Sequence, residues 1–542
     1  MEDLRPPRRP GARHRRAAAR RGGGTRPRPR CRLPLLHRRE RPRGGVRPRP
    51  RVRPRLPRGA ERTARPRVDA AGPRTEGHAM TDHDARREAA ENLDLRRRMR
   101  EVEEAILDRA PENDIDPTLD RVREVLDLLG SPQTTAPIVH IAGTNGKTTT
   151  ARMVEALAME AGLSTGRFTS PHLHDITERI VLSGRPIDAR RFVETYDDVL
   201  PYVEMVDASS QAAGGPRLSF FEVLVVMAFA AFADAPVDVM IVEVGLGGTW
   251  DATNAADGTV CVITPISYDH QAYLGDDLAS IADNKAGILK PGCLAVVSAQ
   301  EPDAAEVIDA RVEELDLTAA YEGREIEVVS RELAVGGQLV TLQGITREYP
   351  DVLIPLHGEH QAHNALLALA AMEEFLGGGT EALDPELVRA AFARVSSPGR
   401  LEIVRRSPTV LVDSAHNPAG ARSLAAALRD SFTFGRVVGV MACMADKDVD
   451  GILEELESVF DEVVVTRNTS PRCMPPARLG ELAREVFGED RVTVVRDLPD
   501  ALDVAAGLAD SGDSGGVAGG VVATGSVITA GEVRMLLGVI DV

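Results

Sequence analysis

Uninterrupted runs of apolar residues recur along the chain and predict buried parallel strands. The run at 138–142 leads into the turn GTNGKT and then into a segment whose apolar residues have helical spacing. Two further runs, VDVMIVEVGLGG (237–248) and TVCVITPISYDH (259–270), also end in polar or acidic residues. Strands that are apolar on both faces are typical of a parallel sheet covered by helices on both sides. The pattern therefore predicts a P-loop-type, mostly parallel α/β sheet.

A helix is predicted over 116–130, just before the first run. Asp116 would be its N-cap, Pro117 would occupy its first position, and Gly130 would lie beyond its end. The apolar residues of this segment share one face: Leu119, Val122, Leu126 and Leu129. A second helix is expected after the glycine turn and ends before Gly162.

The second half of the chain predicts two more structural units. Residues 324–356 alternate between apolar and polar, which indicates small antiparallel structure, and the segment HQAHNALLALAAMEEFLGGG predicts a helix. After SSPGRLE the alternation of strands and helices begins again, with strands expected at 410–413, 437–441, 463–466, 492–495 and 521–523. We therefore predict an ATP-binding domain over 80–396 and a smaller Rossmann-like doubly wound domain over 397–542.

Residues 1–79 have a different composition from the rest. They contain 26 arginines, no lysine and six acidic residues, whereas the remainder has a formal charge of −37. The segment has too few apolar residues to form a core. It is compatible with a nucleic-acid-binding arm, a transit peptide, or a start codon assigned too early. We favour the last, because ordinary composition begins at Met80. The acidic remainder argues against a nucleic-acid or membrane surface.

The cysteines and the hydropathy pattern indicate a cytoplasmic protein. No apolar run approaches the roughly 20 residues of a membrane span, and no secretory pattern precedes Met80. The five cysteines show no CxxC spacing, so they indicate neither a zinc site nor a disulfide framework. They are Cys31, Cys261, Cys293, Cys443 and Cys473.

The turn that begins at Gly143 has the residues of a phosphate-binding site. Backbone N–H groups at a helix N-terminus attract anions, Lys147 is placed to reach terminal phosphates, and a hydroxyl of Thr148 or Thr149 is suited to magnesium. The full GxxxxGK[ST] pattern is not met, because Ile141 stands where the first glycine would be. An ordinary glycine turn with an exposed lysine is the alternative.

Two more strand ends are expected at the same edge of the sheet. Glu243 follows buried aliphatic residues, where a carboxylate is costly unless a cation or hydrogen bonds compensate it. His270 follows the next strand. Helix capping by Glu243 and a structural role for His270 are the alternatives. Because Lys147, Glu243 and His270 would meet at one edge, the combination indicates ATP with magnesium.

Nine segments together resemble one family. In chain order they are AGTNGKTTT, TSPHLHDITERI, EVGLGGTWDATN, DHQAYLG, NKAGILKPG, HQAHNALLAL, PGRLE, VDSAHNPAG and MADKDV. The set is similar to the folylpolyglutamate synthase/dihydrofolate synthase family of the Mur ligase superfamily, and covers nearly everything from about residue 115 onward.

The resemblance implies roles for individual residues. Lys147, Lys285 and His270 would be catalytic, and Lys285 would be carboxylated to a carbamate. The implied ATP-binding residues are Gly143, Thr144, Asn145, Gly146, Lys147, Thr148, Asn364, Arg400 and Asp413. The implied ligands of two magnesium ions are Thr148, Ser170, Glu243, His270 and Lys285. The implied substrate-binding residues are Asp116, Ser219, Trp250 and Asp251 for the pterin-bearing substrate, and His416 and Asn417 for glutamate.

Structural alternatives and departures from the family remain for several of these positions. Ser170-Pro171 is also typical of a turn, Asn417-Pro418 of a helix N-cap, and Asp413 of a cap. The sequence has Thr249-Trp250 where the family has an arginine, and Asn284 where it has a glutamate. The first departure leaves substrate preference open, and the second concerns the field around the carbamate lysine.

The resemblance implies an ATP-dependent ligase that adds L-glutamate to a folate carboxylate through an acyl phosphate. Whether dihydropteroate is also an acceptor stays open. A monomer that binds neither nucleic acid nor membrane is expected. The alternatives are a Mur-type amino-acid ligase acting on a cell-wall precursor, and a nucleotide-switch or nucleic-acid-handling protein that uses the arginine-rich segment.

Overall fold

The computed structural model describes residues 82–111, 116–511 and 517–539. The predictions made for residues 1–79 lie outside these ranges. The α-helices described are α1 (Asp82–Leu107), α2 (Asp120–Leu128), α3 (Lys147–Glu160), α4 (Ala189–Ala212), α5 (Phe220–Asp234), α6 (Gln271–Leu274), α7 (Leu278–Ala286), α8 (Pro302–Glu314), α9 (Glu359–Gly377), α10 (Pro385–Phe392), α11 (Pro418–Ser431), α12 (Val449–Glu457), α13 (Pro476–Phe487), α14 (Leu498–Asp510) and α15 (Val527–Leu536).

The strands of the described ranges form three sheets. They are β1 (Ile138–Ala142), β2 (Thr165–Phe168), β3 (Ile180–Leu182), β4 (Arg185–Pro186), β5 (Val239–Glu243), β6 (Val260–Ile263), β7 (Leu294–Val297), β8 (Thr318–Tyr321), β9 (Glu327–Ala334), β10 (Gly337–Gln343), β11 (Glu348–Ile354), β12 (Glu402–Arg406), β13 (Thr409–Val412), β14 (Val437–Met441), β15 (Glu462–Arg467), β16 (Val492–Asp497) and β17 (Gly520–Thr524).

The first sheet has eight strands in the order β4-β3-β2-β5-β1-β6-β7-β8. Its pairs are parallel except for β2–β3 and β3–β4. Ile141 of the central strand pairs with Glu243 on one side and with Val262 on the other. This register brings the carboxyl ends of β1, β5 and β6 level with one another. The predicted parallel sheet is therefore confirmed, together with β1 at its predicted bounds.

Alternate residues of the central strand enter different cores, which explains the continuous apolar runs. Val139 and Ile141 pack in a core with residues of α3 and α9. Ile138 packs on the opposite face with residues of α1, α4 and α5. Because both faces are covered, every position of β1 is buried.

The predicted antiparallel structure is a three-stranded sheet with the order β11-β10-β9. Its apolar residues join the core formed with α9 and α10. We refer to α1 through α10, with their sheets, as the N-terminal lobe. The C-terminal lobe, from Ser397 to α15, contains a six-stranded sheet with the order β12-β13-β17-β14-β15-β16, parallel except for β12–β13. The expected doubly wound strand-helix alternation is confirmed there.

The helix predicted over 116–130 is shorter than expected. It begins at Asp120, and Leu119 is its N-cap, so the prediction that Asp116 caps it was wrong. Thr118 Oγ1 accepts a hydrogen bond from Asp120 N (3.1 Å). The Asp116 carboxylate instead accepts one from Arg121 Nη1 (2.5 Å). The buried guanidinium competes for the carboxylate, and a tertiary contact of this kind is invisible to a capping pattern.

None of the helices in the described ranges is long and apolar enough to span a bilayer.

Candidate active site

A cavity of about 890 Å³ lies at the carboxyl ends of the parallel strands and is lined by both lobes. Its lining includes seventeen of the site residues implied by the family resemblance: Asp116, Thr144, Asn145, Gly146, Lys147, Thr148, Ser170, Ser219, Glu243, Trp250, Asp251, His270, Lys285, Asn364, Arg400, Asp413 and His416. Gly143 and Asn417 are not in its lining but contact residues that are. Gly143 O accepts hydrogen bonds from Lys147 and Lys285, and Asn417 donates to Asn145 and Asp269. Residues distant in sequence therefore share one compartment.

The glycine turn is held tightly against neighbouring segments. Gly143 has φ +144°, and a methyl group there would lie 2.0 Å from Thr264 Oγ1. Gly146 has φ +90°, and a methyl group there would lie 2.4 Å from Asn364 Oδ1. Both sites thus exclude a side chain by conformation and by space. Gly146 is also the N-cap of α3, so the amides of the first helical turn, which have no intrahelical acceptor, face the cavity.

Two lysines converge on one carbonyl of this turn. Lys285 Nζ donates to Gly143 O at 2.8 Å, and Lys147 Nζ donates to the same oxygen at 3.2 Å. Burial, reinforced by the charge of Lys147, lowers the pKa of Lys285 to about 7. Burial also lowers the pKa of Lys147, although Glu243 opposes this effect. The alternative of an ordinary turn with an exposed lysine is wrong. Lys147 is half-buried, and its Nζ donates hydrogen bonds to Gly143 O and Thr144 O.

Glu243 is almost completely buried at the end of β5 and is held by two neighbours. Thr148 Oγ1 lies 2.9 Å and 3.0 Å from its two carboxylate oxygens, and Ser170 N donates to Oε2 at 3.3 Å. Burial raises the pKa of Glu243, while Lys147 and these hydrogen bonds lower it. The next helical element after β5 is the 3₁₀ helix Ala252–Ala255, whose N-cap is Asp251, so the capping alternative for Glu243 is wrong. Carboxylate and hydroxyl oxygens are suitable donors for magnesium.

Asp269, which precedes His270, is the centre of a polar cluster between the lobes. We call Asp269, His270, His416, Asn417 and Lys447 the Asp269 cluster. Lys447 Nζ lies 2.6 Å from Asp269 Oδ1 and 3.3 Å from His270 Nε2. Asn417 Nδ2 donates to Asp269 Oδ2 at 3.1 Å, and His416 Nε2 lies 3.4 Å from that oxygen.

The pKa values of Asp269 and His270 are both lowered within the Asp269 cluster, but for different reasons. Burial acts to raise the pKa of Asp269, but His416, His270 and Lys447 together hold it well below its usual range. Burial lowers the pKa of His270 to about 3 despite the attraction of Asp269. His270 is therefore neutral near pH 7, and its 3.8 Å contact with Asp269 is not an ion pair.

The C-terminal lobe presents Arg400 and Asp413 to the cavity from adjacent turns. Asp413 Oδ2 accepts from Leu401 N and its Oδ1 from Ala415 N, both at 2.8 Å. Asp413 therefore braces two loops and does not cap α11. The N-cap of α11 is Asn417, followed by Pro418, as the alternative interpretation expected. Asn417 also reaches across to Asn145 Oδ1 (3.2 Å).

The far end of the cavity contains a buried ionic network. Arg121 Nη2 lies 3.0 Å from Glu222 Oε1, and Arg121 also binds Asp116. Ser219 is the N-cap of α5, where it and Glu222 form a capping box. Asp251 caps a short 3₁₀ helix and accepts from Leu246 N (2.8 Å); burial raises the pKa of Asp251 to about 6.

The two departures from the family pattern are in contact with each other. Thr249 N and Thr249 Oγ1 both donate to Asn284 O, at 2.9 Å and 3.1 Å. A methyl group at Gly287 would lie 2.0 Å from Thr249 Oγ1. The segment before Trp250 is thus packed on the helix that contains Lys285.

Two domain models match the chain. The Mur ligase middle domain matches residues 212–372, and the Mur ligase glutamate ligase domain matches residues 399–521. A Mycobacterium tuberculosis dihydrofolate synthase/folylpolyglutamate synthase is 52% identical over 455 residues, which are 81% of this chain and 93% of that relative. The chain belongs to the folylpolyglutamate synthase/dihydrofolate synthase family. The family resemblance inferred from the nine segments is therefore confirmed.

Solved structures of the folylpolyglutamate synthase/dihydrofolate synthase family have the same fold. Mycobacterium tuberculosis folylpolyglutamate synthase complexed with ADP has a TM-score of 0.78 and 51% identity, covering 82% of this chain and 99% of that one. Escherichia coli FolC in complex with DHPP and ADP has a TM-score of 0.68 and 28% identity, covering 82% of this chain and 97% of that one. The predicted α/β fold class is confirmed by this agreement.

Sequence reasoning gave no role to several residues of the cavity. Asp269 lies in the segment DHQAYLG, where an acid directly before a histidine was a signal that could have identified it. Lys447 lies in MADKDV, where the corresponding signal was a lysine between two acids. Arg121 and Glu222 had no such signal, because they are 101 positions apart and meet only through packing.

Proposed function

We propose that the protein is an ATP-dependent ligase that joins L-glutamate to the carboxylate of a folate through an acyl phosphate. A carboxylate condenses with an amine only after it acquires a leaving group, and phosphoryl transfer from ATP supplies one. The names of the family relatives support the folate as acceptor. The cell-wall alternative is not adopted, because the relative that spans most of the chain is a folate enzyme.

The observation that carries the proposal is the convergence of both lobes on one cavity. The N-terminal lobe contributes a phosphate-binding turn with Lys147, and the C-terminal lobe contributes Arg400. Phosphoryl transfer depends mainly on positioning and on electrostatic stabilisation of spreading negative charge. One cation from each lobe, together with the amides of α3, suits a triphosphate.

The residues around Glu243 fit the proposed magnesium site. Among the described residues there is no group of three or more His, Cys, Asp or Glu side chains placed to enclose a metal. Magnesium is commonly bound by one or two carboxylates together with substrate phosphates, and Glu243, Thr148 and Ser170 offer one carboxylate and two hydroxyls beside the phosphate turn. When bound there, the ion would offset charge on the transferring phosphoryl group.

His270 and Lys285 are proposed as further metal ligands, Lys285 as its carbamate. The lowered pKa of Lys285 is compatible with this, since only a neutral amine adds to carbon dioxide. Asn364, Arg400 and Asp413 are proposed to contact the nucleotide. Asp116, Ser219, Trp250 and Asp251 are proposed to line the folate end of the cavity, and His416 and Asn417 the glutamate end.

A product assay tests the proposal. The full chain is supplied with ATP, magnesium and glutamate, and separately with dihydropteroate or tetrahydrofolate, and products are identified by mass spectrometry. Addition of one glutamate to either acceptor, with release of ADP and phosphate, is the expected result. Phosphate release that requires nucleic acid and does not depend on either pterin compound would refute it.

We also propose that the protein acts as a monomer in the cytoplasm.

A further inference from the structure

The loop of residues 169–179 contacts both the proposed magnesium site and the C-terminal lobe. Its first part contains Ser170, whose N–H donates to Glu243 Oε2 (3.3 Å). Three residues later, Leu173 packs against the core of the C-terminal lobe, which includes Val410, Val412 and Val533. One short segment therefore connects the metal-site carboxylate with the opposite lobe.

This loop is held together by internal hydrogen bonds at its two ends and around Leu173. Thr169 N donates to Arg179 O (3.1 Å), which closes the two ends of the loop. The Glu178 carboxylate accepts from Leu173 N (2.8 Å) and His174 N (2.9 Å). The loop ends in the 3₁₀ helix Ile176–Arg179, whose N-cap forms a capping box. These contacts tie Leu173 and the end of the loop that bears Ser170 into one hydrogen-bonded segment.

Two glycines of the C-terminal lobe form the socket that receives Leu173. A methyl group at Gly531, in α15, would lie 2.4 Å from Leu173 O. A methyl group at Gly399, which has φ +70°, would lie 3.0 Å from Leu173 Cδ2. A Cβ at Gly531 would strike backbone, so the loop or the helix would have to shift. A side chain at Gly531 is therefore incompatible with this position of the loop, and one at Gly399 would crowd Leu173 in a backbone conformation that favours glycine.

Further contacts near Leu173 hold the 169–179 loop against the C-terminal lobe. Arg534 is completely buried and donates from Nε to His174 Nε2 (3.2 Å). Its Nη1 binds the Glu402 carboxylate of β12. Gly399 is next to Arg400, and its carbonyl accepts from Ser414 Oγ (2.8 Å). The socket, the proposed nucleotide contact Arg400 and the loop that bears Ser170 are thus adjacent.

We propose that Leu173 is a positioning residue that couples docking of the C-terminal lobe to the magnesium site: seated between Gly399 and Gly531, it holds the 169–179 loop so that Ser170 faces Glu243. The inference rests on the proposed function, in which Ser170 and Glu243 hold magnesium. Nothing in it requires Leu173 to touch substrate or metal.

The test compares two glycine substitutions in helices of the C-terminal lobe. Gly531→Ala introduces the clash with Leu173, whereas Gly507→Ala in α14 meets nothing within 4 Å. Hydrogen exchange of the Leu173 and His174 amides is measured without nucleotide, and binding of a nonhydrolysable ATP analogue is titrated against magnesium. For Gly531→Ala we expect faster exchange, a half-saturating magnesium concentration raised about tenfold, and kcat lowered by about 100-fold. Gly507→Ala should match the wild type in all three.

A second pair of variants keeps the test decisive if Gly531→Ala does not fold. Leu173→Ala empties the socket without a clash and should show the same three changes, and Leu173→Met, which refills it, should restore them. Wild-type exchange and magnesium dependence in a folded Gly531→Ala or Leu173→Ala protein would overturn the inference. Failure of the wild-type protein to ligate glutamate would refute the proposed function instead, so the two failures are distinguishable.

Discussion

Lys447 of the C-terminal lobe and Asp269 of the N-terminal lobe form a buried ion pair, with Nζ 2.6 Å from Oδ1 and less than a tenth of either side chain exposed. The pair stands at the wall of the cavity beside His270. Because opposite charges from the two lobes meet there out of water, the integrity of the pair should depend on the lobes being docked.

Removing one partner of this pair should be far more harmful than removing both. Lys447→Met removes one partner of a buried ion pair, which typically costs about 3–5 kcal/mol. We expect lower thermal stability and lower kcat in Lys447→Met, and partial recovery of stability when Asp269→Asn is added. The melting temperature and kcat of both single variants and the double variant are compared. Arg478→Met, which breaks the exposed pair with Glu481, is the control and should change neither quantity. Strictly additive losses would contradict the prediction.

Magnesium binding should depend on the hydroxyl group of Thr148 more than on the shape of its side chain. Thr148→Val keeps the volume but removes the group that contacts Glu243 (2.9 Å). We expect the half-saturating magnesium concentration for binding of an ATP analogue to rise about tenfold or more. Calorimetric titration of the analogue at several magnesium concentrations measures it. Thr148→Ser, which keeps the hydroxyl, should stay near wild type, and equal behaviour of the two variants would argue against a ligand role.

Arg400 should affect nucleotide binding and turnover together. It lies on the cavity wall from the C-terminal lobe, and its charge opposes the rise that burial produces in the pKa of Asp413. Arg400→Ala is expected to raise the KM for ATP and to lower kcat, because a proposed contact to the nucleotide also bears on lobe docking. Steady-state kinetics at varied ATP check this. Arg406→Ala, at an exposed position of β12, is the control and should have wild-type kinetics. Wild-type kinetics in Arg400→Ala would contradict the proposed contact between Arg400 and the nucleotide.

Glu374 should make the fold less stable as pH rises. It is 2% exposed, its Oε2 has no hydrogen-bond partner among the described residues, and burial, with the charge of Glu373, raises the pKa of Glu374 from 4.5 to about 7. Between these two values the folded state binds more protons than the unfolded state, so the free energy of unfolding falls with increasing pH, by up to about 3 kcal/mol.

Glu374→Gln should remove this pH dependence. The variant is expected to melt above the wild type at pH 8 and near it at pH 5, because the neutral amide mimics the protonated acid. Melting temperatures at the two pH values provide the measurement. Glu386→Gln, at an exposed carboxylate of α10, is the control. A constant difference between Glu374→Gln and wild type at both pH values would show that Glu374 does not titrate in this range.

Much of the fold followed from local pattern. Continuous apolar runs predicted β1 at its observed bounds because a strand covered on both faces needs apolar residues at every position. The turn at Gly143 was also predictable, since phosphate-binding loops need glycine where the backbone approaches its neighbours. The boundary of α2 was missed because Asp116 is bound by Arg121, and the position of Arg121 depends on Glu222, which is 101 positions away.

The sequence by itself determined the order of strands and helices, the phosphate-binding turn and the residues available to the site, because these depend on residue type and on neighbours a few positions away. Only the tertiary structure decided that Asp269 meets Lys447, that Arg121 joins Asp116 to Glu222, and that Leu173 enters a socket formed by Gly399 and Gly531. Apart from Asp116 and Arg121, which are five positions apart, these partners are separated by more than 100 positions. Their distances are set by how two lobes pack, and packing depends on all surfaces at once.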